Sequence, residues 1–351
     1  MITDLNSFID LGMKRGASYL DLRLESYVSE SVSAEDGKPK EAVRSVEQGI
    51  GARALAGGAW GFSASRLEEG DEEPTIRRVV DEAVSLAKAV RSAAKVELAP
   101  TKIARDEVAY PVKVQPLDIS LQEKMRACVE ASARALKTDP LVRKSSAGMA
   151  FITIDKTFAS SEGARIRQIQ TISFAGIFAQ ATKGDVSEFY SDIAGGLGGY
   201  ELIQGYDIAA HGEEVGKNAA VLAGAKPAPT GKTTVVLDPE FCSLLSHEIM
   251  GHPSEADRVM GKEAAWAGRA WWKDRVGEKV FSEKLNIVSD ATMGNYLGSF
   301  KYDDEGVPSR RVVHVEKGVL REFLHSRETA KVFGVEPNGA MRASSYLFAP
   351  S

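Results

Sequence analysis

The sequence predicts an α+β protein: a region of helices and antiparallel sheet, followed by a β-rich region built around one unusual helix. Three observations carry this. Stretches with a period of two alternate with stretches at helical spacing, and the strand-like stretches are joined by short Gly-containing turns. Prolines cluster at two places, APTKIARDEVAYPVKVQPLD (99–118) and KPAPTGK (226–232), and divide the chain into parts. At 351 residues the chain is long for one small core. The division expected is 1–98, 112–224 and 231–351, with the first two parts separate or merged.

The elements follow in order. Ile2, Leu5, Phe8 and Ile9 fall at helical spacing and Gly16 ends the run. In SYLDLRLES, Leu20, Leu22 and Leu24 alternate with Asp21, Arg23 and Glu25, which is a half-buried strand. GIGARALAGGAWGFSAS (49–65) is a β region turning at Gly57-Gly58, and an amphipathic helix covers about Thr75 to Ala94. The first proline cluster reads as an extended linker. Ser120 and Glu123 then form a capping box before a helix that buries Leu121, Met125, Cys128, Val129 and Leu136. Residues 145–180 read as strands with a turn at SSEG (160–163). A helix from Asp207 to Ala223 carries His211 on its apolar stripe, which marks a structural histidine.

After the second proline cluster, Thr233–Leu237 reads as a β run. Asp238 caps a helix and Pro239 fits its first position. That helix carries Phe241, Leu244, Leu245 and then SHEIMGHPSEADR (246–258). LNIVSD is a strand, and RVVHVEKGVLREFL is a hairpin turning at Lys317-Gly318.

Composition limits the function. A formal charge of −5 with no basic blocks argues against nucleic acid and anionic membranes as partners. No apolar stretch reaches membrane-spanning length, and the N-terminus lacks the pattern of a signal peptide. Two cysteines, Cys128 and Cys242, make no disulfide framework and suit a reducing cytoplasm.

The chemistry concentrates at His247, Glu248 and His252. Neutral imidazoles bind zinc, and a carboxylate beside them can move a proton from water to a leaving amine. Five-residue spacing places the two histidines roughly 140° apart on an ideal helix, too far round to share an ion. Gly251 offers an escape if the helix bulges or ends there, and Pro253 prevents regular continuation. His252 would then lie in the turn. From spacing alone, two packed or surface histidines at a helix end is the plainer reading.

HEIMGH followed by PSEAD resembles the HExxxH signature of the TldD half of the TldD/PmbA metallopeptidases. GIGARALAGGAWGFSAS resembles that family's N-terminal Gly-rich β segment. SSEG and GGLGGYE (195–201) resemble its central domain. YDDEG (302–306), EKGVLREFLHSRETA and NGAMRAS resemble its C-terminal domain, so the likeness spans nearly the whole chain in order. The resemblance implies a zinc-dependent peptidase acting on small unfolded peptides. His247 and His252 would be metal ligands and Glu248 the general base on metal-bound water. It also implies a dimer, either a homodimer or a pair with a TldE/PmbA-like subunit. The family's third ligand is a cysteine in a segment after the part resembling NGAMRAS. Cys242, five residues before His247 on the same helix, is a poor substitute. Weak or absent metal binding is therefore expected of this chain, and a non-catalytic dimerising or peptide-binding subunit is the alternative.

Other residues have two readings each. Glu255 and Asp257 can orient a metal ligand or cap a following helix after Ser254. His314 and His325 can bind substrate, with structural roles favoured, and His325 falls in a stretch that resembles the family. Asp303, Asp304 and Glu305 read as a solvated turn more readily than as a cation site. GGLGGYE fits a tight turn or the wall of a peptide channel. Trp266, Trp271 and Trp272 fit ordinary packing more readily than a mobile cover.

Overall fold

The computed structural model describes residues 4–90, 95–262, 270–294 and 296–341. It is an α+β protein. In chain order the elements are α1 (Asn6–Lys14), β1 (Tyr19–Glu35), β2 (Lys38–Ala56), β3 (Ala59–Arg66), α2 (Glu72–Ala89), β4 (Arg105–Ala109), α3 (Leu121–Lys137), β5 (Val142–Ser160), β6 (Arg165–Lys183) and β7 (Val186–Leu197). Then come α4 (Glu201–Tyr206), α5 (Ile208–Ala223), α6 (Pro239–Ser246), α7 (Ala256–Val259), β8 (Ile287–Asp290), β9 (Arg311–Glu316), β10 (Val319–Leu320) and α8 (Arg327–Phe333).

β1 to β7 form one sheet in the order β3-β2-β1-β5-β6-β4, with β7 also on β6. The long antiparallel pairing of β1 with β5 makes the first two parts of the chain share this sheet. Alternation sorts the two faces. Leu20 and Leu22 of β1, with Ile50, Ala52 and Ala54 of β2, pack beneath Ile76, Val79, Val80 and Ala83 of α2. Val32, Ala34, Met149 and Ile177 pack beneath Cys128 and Ala131 of α3 and Val215 and Ala219 of α5. Burial pushes the Cys128 thiol up to about 12, which makes it a core residue and not a nucleophile. Gly61 explains the Trp-Gly-Phe stretch: a Cβ there would lie 2.0 Å from the carbonyl oxygen of Ala83, so only glycine lets α2 sit against β3. Gly199 does the same in GGLGGYE, where a Cβ would lie 2.0 Å from Val114 O.

The other face of the sheet receives the C-terminal part through charge. Arg53 bonds Asp21 at 2.8 Å and Glu305 at 3.1 Å; Lys156 pairs with Asp304, and Arg327 holds Glu162 at 2.6 and 2.9 Å. Asp303, Asp304 and Glu305 are all at most 3% exposed, which corrects the expectation of a solvated turn. The reason lies in their partners: Arg23, Arg53 and Lys156 project from the sheet to meet Asp304 and Glu305, and Asp303 accepts the main-chain N–H groups of Glu305, Val307 and Met341. Removing one partner from such a buried set costs about 3–5 kcal/mol.

Three further expectations change. The linker holds strand β4, which pairs parallel with β6; its charged residues hid the alternation. Thr233–Leu237 is not a strand: Val236 is 97% exposed and the run has no partner among the described residues. β1 runs far beyond its apolar alternation because it is paired along its length with β2 and β5. Ile2 and residues 91–94 of the expected helices lie outside the described residues. The C-terminal core gathers Met250, Ala256, Val259, Trp272, Val315, Leu320 and Phe323 behind the sheet β10-β9-β8.

Candidate metal centre

The site begins at the N-cap of α6, where Asp238 Oδ1 accepts the Phe241 N–H at 2.7 Å and Pro239 takes the first turn. After Ser246 the helix widens into one π turn, His247–Gly251, closed by the His252 N–H on His247 O. A wider turn brings residues five apart onto one face, which is the geometry that the His247–His252 spacing needs. Pro253 has no N–H to continue the ladder, and a 3₁₀ turn follows over His252–Ser254. The bulge does not use the conformational freedom of glycine. Gly251 sits at φ −63°, ψ −64°, inside the ordinary right-handed region.

The two imidazoles converge. His247 Nε2 and His252 Nε2 are 3.0 Å apart, with the rings inclined at 69°. One donor atom each from His247, Glu248 and His252 lies within 4.8 Å of the others. Behind His252, Glu255 Oε1 accepts from Nδ1 at 2.8 Å. That bond puts the proton on Nδ1 and leaves the Nε2 lone pair facing His247. Arg258 holds the second oxygen of Glu255. Burial, then the neighbouring His252, lowers the His247 pKa and favours the neutral form that can coordinate. Imidazole nitrogens are zinc ligands, so His247 and His252 fit two positions of such an ion; with Glu248 kept as the base, a third protein ligand would have to come from elsewhere.

The turn is anchored from one side. Trp272 Nε1 donates to Pro253 O at 2.8 Å and Trp271 Nε1 to Ile249 O at 3.0 Å. Ser254 O accepts from Leu324 N at 2.7 Å, and the Ala256 N–H returns to Leu324 O. Asp257 is exposed, its side chain accepts the N–H of Arg258, and it is not part of the convergent group. Trp266 lies outside the described residues, as do the last three residues of NGAMRAS. Cys242 is exposed and is not part of the convergent group.

A cavity of about 320 Å³ opens beside His247, bounded by Gly251, Ser289, Asp290, Arg310, His314 and Asn338 among others. Spacing gave no signal for Ser289 or Arg310, which arrive from β8 and from the residue before β9. His314 is buried in this wall, with Nδ1 on Glu322 O at 2.9 Å and Nε2 on Ser289 Oγ at 2.8 Å. His325 is buried behind it, packed on Phe333 and bonded to Thr329, and burial lowers it to about 4. His211 pairs with Asp192 at 2.6 Å, away from the centre.

Three models of one family match the chain. They are described as PmbA/TldA metallopeptidase domain 1 (residues 20–87), central domain (115–224) and C-terminal domain (230–351). A metalloprotease of Methanocaldococcus jannaschii is 31% identical over 327 residues, 93% of this chain and 70% of the relative. A zinc metalloprotease TldD homolog of Saccharolobus solfataricus is 27% identical over 343 residues, 97% of this chain and 72% of the relative. Among solved structures, one from Bacteroides thetaiotaomicron, described as a modulator of DNA gyrase, superposes with a TM-score of 0.79 at 19% identity, covering 97% of this chain and 77% of that one. TldE from Thermococcus kodakarensis superposes with a TM-score of 0.69 at 18% identity, covering 95% and 72%. These likenesses show a shared fold.

Proposed function

The chain belongs to the PmbA/TldD metallopeptidase family, and from that premise we propose that it is a zinc-dependent peptidase of small unfolded peptides. The observation that carries the proposal is the convergence of His247 Nε2 and His252 Nε2 at 3.0 Å beside Glu248. His247 and His252 hold the ion, and Glu255 fixes the tautomer and angle of His252. A bound zinc ion supplies Lewis-acid polarisation and acidifies water at the site. Glu248, exposed at the mouth of the turn, takes the proton from the attacking water and delivers it to the leaving amine. The cavity beside His247 takes the peptide, and its size favours a single extended segment over a folded chain. The test is cleavage of an unstructured peptide pool, with zinc supplied, by wild type and Glu248→Gln. A loss of about 10²-fold or more is expected for the variant; equal rates would end the proposal.

A second reading is a subunit that binds peptide or a partner without turnover. It is favoured by α6, whose Phe241 and Leu244 are 52% and 54% exposed beside the centre. In either reading we propose a dimer, of two copies or with a TldE-like partner. We place it in the cytoplasm, on its unpaired cysteines. Among the described residues no helix is long and apolar enough to cross a membrane. Mass in solution, alone and mixed with a TldE-type chain, tests the partner.

A further inference from the structure

The wall of the cavity opposite the helix contains a pair whose hydrogen-bond roles are fixed by elimination. His314 lies on β9 with 1% exposure. Its Nδ1 is 2.9 Å from the main-chain oxygen of Glu322. A carbonyl oxygen only accepts, so Nδ1 carries a proton. Burial lowers the pKa of His314 and keeps the ring neutral near pH 7, so Nε2 has only a lone pair. Ser289 Oγ stands 2.8 Å from that nitrogen and must be the donor. A hydroxyl has one hydrogen. With it committed to His314, what Ser289 presents elsewhere is acceptor capacity, and Ser289 lines the same cavity as His247.

The neighbouring polar groups are committed differently. Arg310 is held by Glu322, and Asp290 accepts from Thr292. The Asn338 amide accepts the His325 N–H through its oxygen and donates through its nitrogen to the Phe323 carbonyl and to Glu322 Oε1. We propose that Ser289 Oγ accepts a hydrogen bond from one main-chain N–H of a peptide lying in the cavity, with His314 as the positioning residue that locks the hydroxyl into that role. The proposal rests on the cavity being a peptide site. It adds a selection rule: a substrate residue opposite Ser289 that carries an N–H is preferred there over proline, by the worth of one hydrogen bond.

The test uses the full chain with zinc in the Glu248→Gln background. Binding of an unstructured peptide is compared with that of analogues in which one amide at a time becomes an ester, which removes a single N–H. One ester position is expected to weaken binding by about two- to tenfold, the worth of one neutral hydrogen bond. Ser289→Ala should weaken the all-amide peptide by a similar factor and remove the sensitivity to that ester. Ser289→Thr, which keeps the hydroxyl, should retain it, and thermal melts of both variants check that the fold survives. The proposal is overturned if no ester position has a penalty that vanishes in Ser289→Ala. It is also overturned, along with the peptide reading of the cavity, if the wild type binds no peptide. If peptide binds but wild type and Glu248→Gln turn it over equally, the peptidase reading fails while the ester scan still decides the role of Ser289.

Discussion

The two sides of the turn that bears His247 and His252 are built in opposite ways. On the near side, α6 buries no residue, and Phe241, Leu244, Glu248 and Ile249 face outward. On the far side, Met250, Ser254, Ala256 and Trp272 are all at most 6% exposed and bonded into the C-terminal core. The difference shows how access and precision can coexist within a dozen residues. The far side fixes where His252 and its partner Glu255 stand. The near side leaves His247 and Glu248 open to the cavity and solvent. The largest expected effect breaks the anchored side. Trp272→Ala removes a fully buried ring and a hydrogen bond to Pro253 O, and should cost about 3–5 kcal/mol in denaturant unfolding. Leu244→Ala on the near side, by contrast, should stay within about 0.5 kcal/mol. Similar costs for the two would erase the asymmetry.

The anchored side should also be sensitive to acid. His325 has a folded pKa of about 4, pushed down by burial, against about 6.5 when unfolded. Between those values the unfolded chain binds a proton that the folded chain refuses. Stability is therefore full above about pH 6.5 and declines as pH falls towards 4, by up to about 3 kcal/mol. In His325→Phe that part of the slope should flatten. An unchanged slope would show that His325 does not titrate as its burial demands.

At the boundary between the two sides stands Glu255. Glu255→Gln keeps the shape but removes the carboxylate that holds the Nδ1 proton of His252. A loss of about 10–100-fold in zinc affinity is expected, with little change in melting temperature of the metal-free protein. Zinc titration against a competing chelator reads this directly. Asp257→Asn, two residues on and exposed, should leave the affinity unaltered.

Legibility in the sequence follows the same division. The N-terminal sheet was readable because Leu20, Leu22 and Leu24 pack against one continuous helix face, so local alternation and tertiary burial agree. β4 was not, because Asp106 and Glu107 are paired with Lys301 and Arg167, and ion pairs leave no periodic trace. The buried turn at Asp303–Glu305 was hidden for the same reason: its charged partners lie about 150 to 280 residues away along the chain. At the centre, His247, Glu248 and His252 were visible as residue types, and Pro253 marked the end of regular helix. The π turn that reconciles their spacing was not, because nothing in Ser246–Gly251 distinguishes it from an α turn. Ser289 gave no signal, since its part depends on a tautomer fixed by a main-chain oxygen near the far end of a hairpin.

The smallest expected effect is the sharpest test of how the turn is made. If glycine's freedom produced the five-residue spacing, Gly251→Ala would straighten the helix and separate the histidines. The backbone argues otherwise. Gly251 has right-handed angles that any residue adopts, and a Cβ there would meet the His247 ring, Nδ1 at 3.5 Å and Cγ at 3.8 Å, which are ordinary contacts. Alanine also loses less entropy than glycine on becoming helical, by up to about 1 kcal/mol. Gly251→Ala should therefore leave zinc affinity within about twofold of wild type and shift stability by no more than about 1 kcal/mol, in the favourable direction. A collapse of zinc binding in that variant would mean that the turn samples conformations that only glycine allows. What then holds the π turn is Pro253, which denies the ladder its next N–H, together with the Pro253 and Ile249 carbonyls fixed by Trp272 and Trp271.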